Sequence, residues 1–159
     1  MALKKGDKAP DFTLPSFTPS PDLTQVSLSG LRGKNVVLLF FPQAFTGVCT
    51  EEMCTMNENF GEYKGMNAEV FGISVDGTFV QKAFADKNNI TIPLLSDYNR
   101  EAVKAFDVLR PEFAHGMKGT SERAVYVIDK EGIIRYVEVM ASPGDMVNFD
   151  GIKKAVASL

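Results

Sequence analysis

Two short apolar runs, separated by a helical pattern, constrain the fold of this chain more than any other feature. The first, "NVVLLFF" at 35–41, contains six consecutive apolar residues, and the second, "EVFGISV", covers 69–75. Both runs are too short for helices and are bounded by polar or glycine-bearing segments, which is typical of buried strands. With a helix between them, they predict a βαβ unit.

The rest of the chain continues this alternation of helices and strands. "RAVYVID" (123–129) and "IIRYVEVM" (133–140), joined by "KEG", predict an antiparallel hairpin. Proline and serine in "LPSFTPSPD" (14–22) predict a surface loop. The remaining expected elements are a helix at 78–89, a strand at 93–97, a helix at 100–106 and a closing helix at 150–159. We expect an α/β fold with a mixed sheet and helices on both faces.

Length and charge restrict the class of protein. The 159 residues, 45% of them hydrophobic, predict a single domain across residues 1–159. The net charge of -3 and the scattered lysines argue against nucleic acid or anionic lipid as a partner. No apolar run approaches the roughly 18 residues that a membrane span needs, and "MALKKGDKAPDF" has no apolar core of a signal peptide. We therefore expect a cytoplasmic protein.

Both cysteines of the chain lie in "FFPQAFTGVCTEEMC", directly after the first apolar run. Two cysteines in a chain of this length cannot form a structural disulfide framework, and a reducing compartment keeps them as thiols unless they cycle. Any disulfide between Cys49 and Cys54 should therefore be transient. This arrangement indicates redox chemistry.

The predicted helix after the first strand gives the two thiols different surroundings. Thr46 is a suitable N-cap, which places Cys49 in the first helical turn, where free N–H groups and the helix dipole favour a thiolate. Cys54 does not share the apolar face: it lies about 100° around the helix from Met53 and is expected to be partly exposed. The predicted apolar face consists of Cys49, Met53, Met56, Phe60 and Tyr63. Because the helix follows a strand, Cys49 should lie at the carboxyl edge of the sheet, where α/β folds bind small ligands.

At these positions "PQAFTGVC" resembles the Pro-x-x-x-Thr/Ser-x-x-Cys signature of the peroxiredoxins, thiol peroxidases with a thioredoxin-like fold. "GDKAPDFTL" and "LLSDYNREAVKAFDV" are also similar to segments of that family, and Arg123 stands where the family has an arginine. The resemblance implies that the Cys49 thiolate attacks the peroxide O–O bond. It further implies that Thr46 and Arg123 hold the peroxide and that Pro42 shields the site.

The charges around Cys49 are consistent with this assignment only if the arginine dominates. A thiolate needs positive surroundings, which the helix start and a guanidinium can supply. Glu51 and Glu52 would by themselves disfavour a second negative charge. Glu52, one turn beyond Cys49, matches a glutamate that orients the arginine in the family, which implies a supporting role; alternatively it is simply solvated.

Cys54 decides the subtype. Its spacing from Cys49 resembles the Q-type peroxiredoxins, also called bacterioferritin comigratory proteins, and implies an intramolecular disulfide. Val48 departs from the glycine usual in that group, and the motif looks equally like enzymes that use one cysteine with an external thiol. The resemblance implies a thioredoxin- or glutaredoxin-like reductant, a monomer or homodimer, and no metal, haem or flavin cofactor.

Plainer readings of the same residues remain. Cys49 could be an inert apolar residue, and Arg123 could be a surface cation paired with Glu122. A thioredoxin-like reductase would need Cys-x-x-Cys, and a zinc site would lack a fourth ligand even with His115, to which we assign no role. The chain could also be a redox sensor or binding module that passes oxidation to a client rather than turning over.

Overall fold

The computed structural model describes residues 3–19 and 22–159. Within these residues the central sheet has seven strands in the order β2-β1-β5-β4-β3-β8-β9. Its strands are β1 (Thr13–Ser16), β2 (Thr24–Ser27), β3 (Asn35–Phe40), β4 (Ala68–Ser74), β5 (Leu94–Ser96), β8 (Ala124–Ile128) and β9 (Ile134–Val139). A separate two-stranded ribbon pairs β6 (Leu109–Arg110) with β7 (Thr120–Ser121). The helices are α1 (Gly47–Glu58), α2 (Phe60–Gly65), α3 (Thr78–Asn88), α4 (Glu101–Ala105) and α5 (Phe149–Ala157).

The predicted βαβ unit is confirmed. β3 and β4 pair in parallel, and β3 pairs on its other side with the antiparallel strand β8. β8 and β9 form the predicted hairpin. The sheet is therefore mixed, as expected.

All six residues of β3 are buried, because the sheet is covered on both faces. Val37 and Leu39 pack into one core cluster with residues of α1, α3 and α5, whereas Val36 and Leu38 pack into the other with residues of α4 and the N-terminal segment. Helices thus lie on both faces, as predicted, with most of them on one. Among the described residues, no helix is both long and apolar enough to cross a bilayer.

Gly72 of β4 allows α1 to pack closely on the sheet. A Cβ atom at this position would lie 2.9 Å from Met53 Cε and 2.7 Å from Leu94 Cδ2. Real Cβ atoms essentially never approach another heavy atom this closely. The glycine in the second apolar run therefore leaves room on the sheet for the end of the Met53 side chain, which belongs to the cysteine-bearing helix.

The predicted loop at 14–22 is wrong at its start, since residues 14–16 belong to β1. Leu14 is buried in the core, and β1 pairs antiparallel with β2 over its whole length. The proline in the pattern was read as a sign of a loop, but a strand tolerates Pro15 here. Proline lacks the N–H group that donates to a neighbouring strand, and β1 pairs with β5 only through Ser16↔Leu95, so few hydrogen bonds are lost. Residues 20 and 21 of that prediction lie outside the described residues.

A second difference concerns the helix after β3, which was predicted as one continuous pattern through Tyr63. It breaks at Asn59, whose φ of -98° and ψ of 4° end α1 and begin α2. Tyr63 is nevertheless buried, so the apolar face continues across the break.

Candidate active site

Cys49 is the third residue of α1 and is fully buried, with 0% of its surface exposed. Its side chain belongs to the core cluster that also contains Met53 and Met56. The predicted apolar face is confirmed, because Tyr63 joins the same cluster and Phe60 packs against it. The buried position removes water from the thiol, so its reactivity depends on the polar groups that contact it.

Thr46 is the N-cap residue of α1, as predicted, and its carbonyl accepts the Thr50 N–H at 2.9 Å. Its hydroxyl does not cap the helix. It donates instead to the carbonyl of Gln43 at 2.8 Å. The N–H groups of the first helical turn are thus left without this side-chain acceptor.

Arg123 reaches Cys49 because of the register between β3 and β8. Phe40 pairs with Ala124, so Arg123 lies opposite the end of β3, where the chain leaves for α1. Arg123 Nη2 donates to Cys49 Sγ at 3.1 Å. Nε and Nη2 both donate to the Pro143 carbonyl, at 3.0 and 2.8 Å. The guanidinium is 1% exposed and is held on two sides.

Glu52 is also buried, and its Oε2 lies 3.4 Å from Arg123 Nη1. Burial raises the pKa of Glu52 to about 7, because desolvation outweighs the attraction of Arg123. Neither carboxylate oxygen nor Arg123 Nη1 has a hydrogen-bond partner among the residues that the structure describes. The expectation of a solvated Glu52 is therefore wrong. The alternative pairing of Arg123 with Glu122 is also wrong, since Glu122 binds Arg110 at 2.9 Å.

A cavity of about 190 Å³ opens beside these groups. Thr46 and Arg123 meet in its wall, together with Phe113 from the segment between β6 and β7. Its lining consists of Thr46, Gly47, Val48, Phe113, Arg123, Pro143 and Gly144. Pro42 is buried two residues after the end of β3, at the start of the turn that leads to Thr46. The arrangement offers a small molecule a route to the helix start and the guanidinium.

Cys54 lies on a different flank of α1 and is partly exposed, as predicted, and both cysteines are free thiols. Both belong to the same uninterrupted helix. His115 is exposed in a 3-10 turn at Ala114–Gly116.

Two groups at the site were missed by sequence reasoning. The Pro143 carbonyl orients Arg123, and the Phe113 side chain lines the cavity. A backbone carbonyl leaves no side-chain signal in a sequence. Phe113 itself lies far from the motif in sequence, on a loop whose path the sequence pattern does not predict.

Comparison with known proteins places this geometry in a family. Residues 5–137 match the AhpC/TSA family. The chain is 38% identical over 136 residues to the chloroplastic Peroxiredoxin Q of Triticum aestivum, covering 85% of this chain and 58% of that protein. It is 35% identical over 147 residues to Alkyl hydroperoxide reductase E of Mycobacterium bovis, covering 91% and 90% of the two chains.

The fold agrees with these relatives. The crystal structure of a peroxiredoxin-like protein from Aquifex aeolicus superposes with a TM-score of 0.87 at 30% identity, over 99% of this chain and 88% of that one. The sheet with its flanking helices is thus the thioredoxin-like fold expected from the sequence. Because the family match spans most of its length, the chain belongs to the AhpC/TSA family and is a peroxiredoxin, a thiol peroxidase.

Proposed function

We propose that Cys49 is the residue that peroxide oxidises, and that the substrate is hydrogen peroxide or a small organic hydroperoxide. One observation carries this assignment: the buried Arg123 guanidinium donates to the Cys49 sulfur at 3.1 Å. An arginine carries a permanent positive charge, so this contact brings a cation and a hydrogen-bond donor to the sulfur that would attack the peroxide.

The reaction moves two electrons from sulfur to peroxide. The thiolate attacks one peroxide oxygen, an S–O bond forms, and the O–O bond breaks. The departing oxygen takes a proton and leaves as water or an alcohol, while Cys49 becomes a sulfenic acid. The negative charge that develops on the departing oxygen is where a preorganised donor is most effective.

Arg123 and Thr46 are suited to hold the peroxide during this step. Arg123 Nη1 is a buried donor that faces Glu52 Oε2 at 3.4 Å but makes no hydrogen bond among the described residues, and a bound peroxide could accept one from it. The Thr46 hydroxyl donates a hydrogen bond to the Gln43 carbonyl, so its oxygen lone pairs are free to accept one from a peroxide O–H. Glu52, in contact with Arg123, orients the guanidinium, and the buried Pro42 shields the turn from water.

Cys54 resolves the sulfenic acid in the reading we favour. Its thiol attacks Cys49 sulfur, an S–S bond forms, and the hydroxyl leaves as water. A thioredoxin- or glutaredoxin-like dithiol then reduces the disulfide and restores both thiols. No metal, haem or flavin enters this cycle.

A second reading has an external thiol resolve Cys49, with Cys54 as a spectator. It is favoured by the continuous α1 helix, in which residues five apart have Cα atoms about 8.7 Å apart. A disulfide tolerates at most about 7 Å. A sensor that passes its oxidation to a client is the third reading, and steady turnover with a dithiol reductant excludes it.

The setting follows from the thiol chemistry. We infer a cytoplasmic location, because a reducing compartment keeps Cys49 and Cys54 as thiols between cycles. A monomer and a homodimer are both compatible with the site, since each group in it comes from one chain.

Stopped-flow oxidation followed by intact mass tests the assignment. Cys49→Ser should abolish peroxide consumption with the fold intact, whereas Cys54→Ser should keep the wild-type rate of Cys49 oxidation. The wild type should lose about two mass units on oxidation as a disulfide, and Cys54→Ser should gain about sixteen as a sulfenic acid. Wild-type rates in Cys49→Ser would remove Cys49 from the reaction, and a gain of sixteen in the wild type would favour the external thiol.

A further inference from the structure

The turn between β3 and α1 must hold Thr46 and the helix start in place, yet it contains a strained residue. Phe45 has a φ of +68°, in the left-handed region, and its side chain is half exposed. For a non-glycine residue this conformation is strained and persists only where the surroundings hold it. Something outside the turn should therefore fix it.

Asp76 supplies such a contact. Its Oδ2 atom accepts the Ala44 N–H at 2.8 Å and the Ser74 hydroxyl at 2.8 Å. Ala44 is adjacent to Phe45 and two residues before Thr46. Asp76 lies just beyond β4, which runs parallel to β3, so the carboxylate and the turn meet at the same edge of the sheet.

Asp76 is itself held by the neighbouring elements. Gln81 of α3 donates to Ser74 Oγ at 3.0 Å and to the Leu95 carbonyl at 2.9 Å. Ser96 of β5 donates to the Asp76 carbonyl at 2.6 Å. Ser74 of β4 thus contacts the carboxylate directly, Ser96 of β5 contacts its backbone, and Gln81 of α3 acts indirectly by fixing Ser74. The acceptor offered to Ala44 therefore has a fixed position.

We propose that Asp76 is a positioning residue for peroxide reduction, acting through the Ala44 N–H on the turn that carries Thr46 and starts the helix of Cys49. It does not contact the sulfur or Arg123. By fixing Ala44 it holds Phe45 in its left-handed conformation, and this sets where the Thr46 hydroxyl and the first turn of α1 meet the guanidinium. The inference rests on the proposed function, in which peroxide oxidises Cys49.

Three variants separate acceptor geometry from charge. Asp76→Ala removes the acceptor and should lower the second-order rate constant for Cys49 oxidation by at least about tenfold, since small misplacements of reacting groups can cost far more. Asp76→Asn keeps an acceptor oxygen and should recover the rate to within about threefold of the wild type. Ser74→Ala loosens the carboxylate and should give a smaller loss in the same direction, which tests the idea even if Asp76→Ala folds poorly.

Asp97 provides a matched control. It is a buried aspartate that accepts two backbone N–H groups, from Ala102 at 3.1 Å and Val103 at 2.8 Å, at the start of α4. Asp97→Ala should destabilise the protein comparably without touching the turn, so its rate constant for peroxide should stay near the wild-type value.

A second readout distinguishes positioning from general damage. Alkylation of Cys49 by iodoacetamide, measured in a Cys54→Ser background, needs an accessible thiolate but not an aligned peroxide. Because Cys49 is buried, general loosening of the fold would raise its alkylation rate, and Asp97→Ala measures that background. Asp76→Ala should lower the ratio of the peroxide rate to the alkylation rate, with an alkylation rate no higher than that of Asp97→Ala.

These outcomes distinguish a failure of the proposed role of Asp76 from a failure of the proposed function. A wild-type rate constant in Asp76→Ala, an equal loss in Asp97→Ala, or an unchanged ratio would overturn the role of Asp76 alone, provided that Cys49→Ser is inactive. If Cys49→Ser still consumes peroxide, the proposed function fails, and the role of Asp76 fails with it.

Discussion

At the scale of single residues, Arg123 is the main source of positive charge beside the Cys49 sulfur. Its guanidinium contacts Cys49, Glu52 and the Pro143 carbonyl, and it is almost completely buried. A planar group with five donors can serve a sulfur, a carbonyl and a bound peroxide at once, whereas a lysine ammonium is a single point of charge. The planar shape should therefore matter as well as the charge.

Arg123→Lys should slow the oxidation of Cys49 by at least about tenfold, because the charge is kept but the fork of donors is lost. Stopped-flow measurement of the second-order rate constant tests this. Arg110→Lys is a suitable control, since Arg110 is an arginine paired with Glu122 away from the sulfur and should leave the rate unchanged. An equal rate constant in Arg123→Lys and wild type would remove the donor geometry from the mechanism.

Glu52 should make the stability of the protein depend on pH. Burial raises its pKa from 4.5 to about 7, so between these values the folded protein holds a proton that the unfolded chain has released. The stability of the wild type should accordingly fall as pH rises from about 4.5 to about 7, by up to about 3 kcal/mol, and then level off. Denaturant unfolding at a series of pH values measures this slope.

Glu52→Gln should remove that slope, because an amide does not titrate. Relative to the wild type, the variant should gain stability steadily between pH 5 and 7. Glu69→Gln controls for a general effect of charge, since Glu69 forms an ion pair with Lys34 at the surface. A constant difference between Glu52→Gln and wild type across this range would mean that Glu52 titrates near its ordinary pKa.

At this scale the sequence predicted which side chains form the site, but it did not predict all of the groups that contact them. Pro42, Thr46, Cys49 and Arg123 follow from a local motif and a strand start, and the structure places Arg123 on Cys49. The ion pair with Glu52 was expected only from the resemblance. Contacts through the backbone, such as the Pro143 carbonyl, depend on the path of a loop and were not predictable.

At the scale of elements, α1 places a mechanical condition on the proposed disulfide. Cys49 and Cys54 share one continuous helix, so their sulfurs cannot bond until the first turns unwind. Asn57 marks the other end of the segment. Its Oδ1 accepts from Thr91 N and Oγ1 and from Ile92 N, at 2.8, 2.9 and 3.1 Å, which ties the end of α1 to the loop after α3.

Oxidised protein should therefore exchange its amide hydrogens faster than reduced protein across residues 47–57, with protection returning towards the Asn57 end. Hydrogen exchange read by mass spectrometry tests this after one equivalent of peroxide. Oxidised Cys54→Ser is the control, since a sulfenic acid leaves the helix intact. Equal protection in oxidised and reduced wild type would indicate that Cys54 is a spectator.

Strands formed by continuous apolar runs were predicted correctly. The prediction failed for a strand that is defined by pairing with distant parts of the chain. β3 and β4 lie within one residue of the predicted bounds. β1 was missed because its four residues include a proline and show no strand pattern of their own. The strand is defined by the burial of Leu14 and by pairing with β2, and both depend on the assembled sheet. The break at Asn59 likewise depends on packing, since the apolar spacing runs through it.

At the scale of the whole molecule, α1 is part of the core as well as of the site. Met53 and Met56 are fully buried in the cluster that joins α1 to the sheet and to α5. Burying a methionine side chain contributes about 1.5–3 kcal/mol, so the two together contribute about 3–6 kcal/mol. Unwinding the helix to form a disulfide would expose these side chains and remove part of this stabilisation.

The stabilisation that the disulfide provides is smaller than the burial free energy of the two methionines. Closing a loop of about six residues stabilises a protein by only about 2 kcal/mol in the chain-entropy account. The oxidised protein should therefore be less stable than the reduced protein, contrary to the usual effect of a disulfide. We expect its melting temperature to be at least about 2 °C lower.

Calorimetry of reduced and peroxide-treated protein tests this, with the loss of two mass units confirming the disulfide in each sample. Peroxide-treated Cys54→Ser serves as the control, because its sulfenic acid leaves Met53 and Met56 in the core and its melting temperature should stay near that of the reduced form. An oxidised wild type that melts at or above the temperature of the reduced protein would show that the disulfide forms without taking α1 out of the core. In that case the unwinding would have to be confined to the first turn, before Met53, and the exchange increase would end there as well.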